Sequence, residues 1–179
     1  MSILYVGVGI VAAQRVAELA LAARNTRRLR AEGAVEVDAA GYPWLVGLHA
    51  GWLGCLAALT PADTAPWCPL LAAYAALQLG RVWVIASLGR RWTTRIIVVP
   101  GAKLVRDGPY RFLWHPNYAI VVAEIAVLPL AFGELAIALA FSAGNLVLVL
   151  RRIAIEDGAL APARRITAVN AALRRRFSG

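Results

Sequence analysis

Charge is scarce in this chain. Only 16% of its 179 residues are Asp, Glu, Lys or Arg, against 60% hydrophobic residues. A soluble domain carries about a quarter charged and about half apolar residues, so the composition excludes an ordinary water-soluble fold and predicts a membrane protein. Cysteine is nearly absent. Cys55 and Cys68 lie in or beside apolar stretches without metal-ligand spacing, and read as two buried, unpaired thiols. Histidine is limited to His49 and His115, so no second His or Cys stands where a metal site would need it. A cleavable leader is not evident, because the first apolar stretch is too long and Gln14, Arg15 and Glu18 interrupt it. Internal repeats and low-complexity tracts are missing too. The length suits one compact domain over 1–179 and leaves no room for a separate soluble catalytic module.

What is present is a series of long apolar runs. Four, or five if the last folds back, have lengths near those a bilayer needs: 3–23, 42–59, 67–88, 118–132 and 135–150. The stretch 117–150 is too long for one ordinary span. Gly133 and Glu134 in its middle supply a turn and a charge, so a helical hairpin is the better reading. The predicted fold class is therefore all-α and integral to the membrane, with about five transmembrane helices and a tail from 151 to 179.

The formal net charge of +9 invites a nucleic-acid reading, but its distribution argues otherwise. All 19 basic residues except Arg15 and Arg81 fall after the first, third and fifth runs. The loops 60–66 and 133–134 hold none. By the positive-inside rule the N-terminus faces outward and the C-terminus is cytoplasmic. The basicity is topology plus attraction to anionic lipid, with no nucleic-acid partner implied. After the first span, RNTRRLRAEGAVE reads as a basic helix extension broken at Gly33. Ile96 to Val99, closed by Pro100 and Gly101, reads as a short extended stretch and a turn. Beyond the fifth span the helix is expected to continue until Pro162, followed by a basic, amphipathic, surface-lying tail.

Two polar blocks stand out at the ends of the hairpin. The first is GPYRFLWHPNY, Gly108 to Tyr118. Pro116 suits a helix's first turn, where its missing N–H has no partner anyway, and so aims Tyr110, His115 and Tyr118 at one interfacial spot. The same residues also suit an aromatic belt around Trp114 with His115 as its polar cap. The second block is Arg152 with Glu156 and Asp157. Arg152 and Glu156, at i and i+4, share a helix face. The hairpin returns them to the surface that carries His115, so a carboxylate, a guanidinium, an imidazole and phenols can line one pocket. Such a set suits a zwitterionic, sulfonium-bearing ligand. Within the spans, Arg15 and Glu18 at i, i+3 can pair with each other, and His49 reads as a hydrogen-bonded interior histidine. Glu124, deeper in the span that begins at His115, is the best-placed candidate for a substrate-facing acid or base.

With these residues assembled, the chain resembles the isoprenylcysteine carboxyl methyltransferase family of integral-membrane, S-adenosylmethionine-dependent enzymes. The resemblance is strongest over 103–118 and 152–157. It implies that Ala102, Lys103, Leu104, Val105, Tyr110, His115, Pro116, Asn117, Tyr118 and Glu156 contact the cofactor, and that Arg152 faces the methyl acceptor. Trp114 stands where the family usually has Arg, and Asp157 replaces a second Glu. A narrower similarity, carried by RNTRRLRAEGAVE, YPWLVGLH and LQLGRVWVIASLGRRWTTRIIVVPG, points to a bacterial branch. Its members accompany type III polyketide synthases and methylate long-chain alkylpyrones or alkylresorcinols. The implied partners are a lipidic acceptor and membrane lipids, in a bacterial inner membrane. A resorcinol acceptor, with a pKa near a tyrosine's, benefits from a base, for which Glu124 and His115 are the candidates. Three alternatives stay open: carboxyl methylation of a prenylcysteine-like lipid, an NADPH-dependent reductase of the sterol-reductase type using the Arg90–Arg95 cluster, and a non-enzymatic scaffold.

Overall fold

The computed structural model describes residues 2–102 and 104–177, with the side chains of the C-terminal helix described as far as Ala161. Five helices follow one another: α1 (Ile3–Ala31), α2 (Tyr42–Leu59), α3 (Cys68–Leu88), α4 (Pro116–Ala131) and α5 (Leu135–Phe177). Two three-residue strands, β1 (Val35–Val37) and β2 (Ile96–Val98), sit between α1 and α2 and between α3 and α4. Four helical stretches are long and apolar enough to cross a bilayer: Ile3–Ala31, Ala39–Leu59, Cys68–Arg91 and Leu135–Ala161. α4 is shorter, and its 16 residues rise about 24 Å, less than a typical hydrocarbon core.

The basic residues gather at one end of the bundle, where α1 and α3 finish, α2 and α4 begin, and α5 carries Arg151 and Arg152. At the other end the hairpin turns through Gly133, whose φ of 77° suits a residue without Cβ. The Glu134 amide bonds the Pro129 carbonyl at 3.0 Å and closes that turn. α3 packs on α4, α4 on α5 and α2 on α5. In the half away from the basic end, Leu4, Trp52, Leu56, Ile125, Leu128 and Ile137 form the main apolar core. Ile10, Leu79 and Val147 point outward, 63%, 74% and 67% exposed, as residues that meet lipid tails do.

Three expectations need correcting. Cys68 is exposed at the start of α3, and Cys55 is only partly buried, packed against the edge of the core. Pro162 does not end the last helix; α5 runs through it to Phe177. A proline removes one backbone hydrogen bond, and strong helix formers on both sides, Ala161 and Ala163, carry the helix across it. The segment after Gly33 is β1, which pairs antiparallel with the expected extended stretch in the register Val35↔Val98, Glu36↔Ile97 and Val37↔Ile96. Glu36 explains the pairing. Its carboxylate takes Arg95 at 2.6 Å and also binds Arg30, tying the ribbon to α1.

The ribbon's far side is tethered to α5, where both Arg151 amino groups donate to Asp38, at 2.5 and 2.7 Å. That hydrogen bonding holds the Asp38 carboxyl below its ordinary range. A depressed carboxyl stabilises the fold above its unfolded pKa of about 3.9 and loses that contribution as pH falls through the lower folded value. The difference in melting temperature between the wild type and Arg151→Ala is therefore expected to be constant from pH 8 to 5, in rough terms, and to vanish only in stronger acid.

Candidate active site

The turn before α4 is built from Gly108–Arg111. Gly108 has φ 58°, and a Cβ there would meet the Ser87 hydroxyl and approach Trp83 Nε1. Gly108→Ala is expected to destabilise the fold by about 1–3 kcal/mol, seen as a drop of several degrees in the melting temperature. His115 caps α4 and Pro116 takes its first position, so the helix starts where the missing N–H costs nothing. One turn on, the Tyr118 ring lies 5.5 Å from the His115 ring.

α5 returns past this turn with its two acidic residues. Tyr118 Oη donates to Glu156 Oε2 at 2.7 Å. His115 Nε2 lies 3.0 Å from Asp157 Oδ1, and its Nδ1 is 3.9 Å from Glu156. Arg152, 5% exposed, donates from Nη2 to the Thr94 carbonyl at 3.0 Å and has its Nε buried without a partner. Burial first, then the Glu156 charge, holds the Tyr110 phenol above its ordinary pKa, so at neutral pH it is an uncharged hydroxyl.

These groups open on one cavity of about 930 Å³, within the range of small-molecule sites. Tyr110, His115, Asn117, Tyr118, Arg152 and Glu156 line it. So do Ala102, Leu104 and Val105 from the segment before the turn. Pro116 is buried behind them as the helix start. Lys103 lies outside the described residues. The two hairpin blocks thus meet, as their spacing suggests.

Glu124 is not among them. It is 1% exposed, and it is not part of the cavity wall. Its Oε1 accepts from Gln78 at 2.8 Å and Arg81 Nε at 2.9 Å, while Oε2 accepts from Arg15 at 2.8 Å and from Arg81 Nη2. A carboxylate so enclosed has no lone pair turned to a substrate. Arg15 and Glu18 pair at 2.9 Å as their i, i+3 spacing suggests, but the pair also joins Arg81, whose Nη1 is 3.2 Å from Glu18. Gln14 closes the ring by donating to Gln78 at 2.7 Å and Glu18 at 2.9 Å. Beyond the Arg15–Glu18 pair, the sequence shows Arg81 and Glu124 as isolated ionisable residues in their spans; only tertiary contact between α1, α3 and α4 makes them a network.

Arg95 is engaged as well, bonded to Glu36 and stacked 4.1 Å above the Tyr42 ring, where a reductase would need it on a nucleotide phosphate. Among the described residues no cluster of metal-ligating side chains occurs.

No solved structure matches this chain. The chain is 37% identical over 157 residues to the uncharacterized protein YpbQ of Bacillus subtilis (strain 168), covering 86% of this chain and 94% of that one. A family description matches residues 70–162, the stretch that holds most of α3, the turn before α4 and the hairpin. By that family match this integral membrane protein belongs to the isoprenylcysteine carboxyl methyltransferase (ICMT) family.

Proposed function

We propose that the protein is an S-adenosylmethionine-dependent O-methyltransferase that acts at the membrane surface on a lipidic acceptor, a long-chain polyketide such as an alkylpyrone or alkylresorcinol. The observation that carries this reading is one cavity whose wall holds Glu156, Tyr110 and Tyr118 at the hairpin blocks together with apolar side chains such as Leu45, Leu53 and Val121. A polar methyl donor and a lipid have to meet in such a place. Family membership supports methyl transfer. Likeness of 24–49 and 77–101 to the polyketide-modifying branch supports the acceptor and a link to a type III polyketide synthase.

The residues present suit the donor. Asn117 Oδ1 is buried with no hydrogen-bond partner, an acceptor awaiting an N–H or O–H. Glu156 offers charge to an ammonium or sulfonium from the cavity wall, and Tyr110 and Tyr118 offer aromatic faces. When bound, S-adenosylmethionine supplies an electrophilic methyl group. The chain's own contribution is alignment and exclusion of water, which methyl transfer chiefly needs. Arg152 is assigned to the acceptor oxygen, where a guanidinium favours the deprotonated form that attacks the methyl group and fixes its direction. His115, held through Nε2 by Asp157, is assigned to take the proton of a phenolic acceptor. In this reading all five helices span one membrane-embedded domain, the basic end is cytoplasmic, and the membrane is the bacterial inner one.

Calorimetric titration of the detergent-purified protein tests the proposal. Micromolar binding of S-adenosylmethionine is expected, with no comparable binding of NADPH. The reverse order of affinities overturns it.

A further inference from the structure

The cavity does not end at the hairpin blocks. Its wall continues inward to Arg15, Glu18, His49 and Arg81, the polar face of the buried network. His49 stands seven residues into α2, Arg81 seven before the end of α3, and Glu124 eight into α4. At 1.5 Å per residue all three lie about 10–12 Å inward from the basic end. The cavity is therefore polar at two levels, with apolar wall between.

Two features define what the inner level can hold. First, its fixed charges cancel: Arg15 and Arg81 face Glu18 and Glu124. A further anion or cation would lie at membrane depth without a counter-charge, a costly arrangement. An uncharged group meets no such penalty. Second, a donor and an acceptor both face the space. His49 Nδ1 donates to the Leu45 carbonyl at 2.9 Å, which leaves Nε2 as the ring's free position. Arg15 commits one N–H to Glu18 and one to Glu124 of the five a guanidinium offers, and it keeps 14% of its side-chain surface.

We propose that the inner end of the cavity is a second polar subsite, formed by His49 and Arg15, that holds an uncharged oxygen function of the acceptor, a hydroxyl or an enol. A hydroxyl donates to His49 Nε2 and accepts from Arg15. The acceptor then carries two oxygens, one held at membrane depth and one presented beside Arg152. A lipid with a lone carboxylate leaves the inner level unfilled. The identity of the ligand as a methyl acceptor rests on the function proposed above; the subsite itself does not.

Direct binding separates the two. Undecylresorcinol and its one-hydroxyl analogue undecylphenol are titrated into the detergent-purified protein without methyl donor. The wild type is expected to prefer the resorcinol by about tenfold, the worth of one hydrogen-bonded hydroxyl. His49→Leu is expected to bind both alike at the phenol's affinity, and His49→Gln, which keeps an acceptor, to restore part of the preference. Unchanged melting temperatures confirm that the variants are folded. No preference in the wild type, or a preference that survives in His49→Leu, overturns the subsite. Preference for the resorcinol in a protein that fails to bind S-adenosylmethionine leaves the subsite standing and sinks methyl transfer instead.

Discussion

Glu124→Ala is expected to destabilise the protein by on the order of 3–5 kcal/mol and to lower its melting temperature by roughly 10 °C, because two guanidiniums then share the single remaining carboxylate. The substitution removes all four hydrogen bonds that converge on Glu124, from Gln78, Arg15 and Arg81. Breaking a buried pair on one side is harmful; removing both sides is much less so. The double variant Arg81→Met, Glu124→Leu leaves Arg15 paired with Glu18 and restores neutrality, so it is expected to recover most of the lost stability. A thermal double-mutant cycle in detergent checks this. If Glu124→Ala melts like the wild type but loses activity, Glu124 is a catalytic acid or base after all, and the network reading fails.

Glu156→Gln is expected to weaken S-adenosylmethionine binding by about 100-fold, the scale of one charge-assisted hydrogen bond with its Coulombic share. The glutamine keeps the size of the side chain and can still accept from Tyr118, now 2.7 Å from the carboxylate, so the α4–α5 contact survives. Asp157→Asn is expected to cost less, about tenfold, because that side chain is 38% exposed and its charge is screened by water. Calorimetry on both variants reads these losses. Equal, small effects from the two would remove Glu156 from the proposed donor site.

The parts of this architecture that were legible in the sequence are those carried by local pattern. Apolar run lengths mark the helices, and α2, α3 and the start of α5 begin within a residue of where the runs do. Gly133 and Glu134 mark the hairpin, and the hairpin in turn brings His115 to Glu156 and Asp157. What was hidden depends on partners distant along the chain. Val35–Val37 is too short to announce a strand, and it exists because Ile96–Val98 and Glu36's arginines receive it. Arg81 and Glu124 are 43 residues apart, and no periodicity links them. The role of Thr94 is a backbone one, its carbonyl accepting from Arg152, so side-chain chemistry gives no hint of it.

The apolar core in the half away from the basic end has an electrical consequence. A hollow reaching the level of His49 and Arg81 leaves that half of the bundle to separate the two sides of the membrane. Leu4, Trp52, Leu56, Ile125 and Leu128 fill it with side chains at most 3% exposed. Such a layer offers ions no hydration and protons no chain of hydroxyls to hop along. In the proposed reading the bundle takes a polar group to the level of His49 while remaining an insulator, and the membrane keeps its potential across the very protein that hollows it.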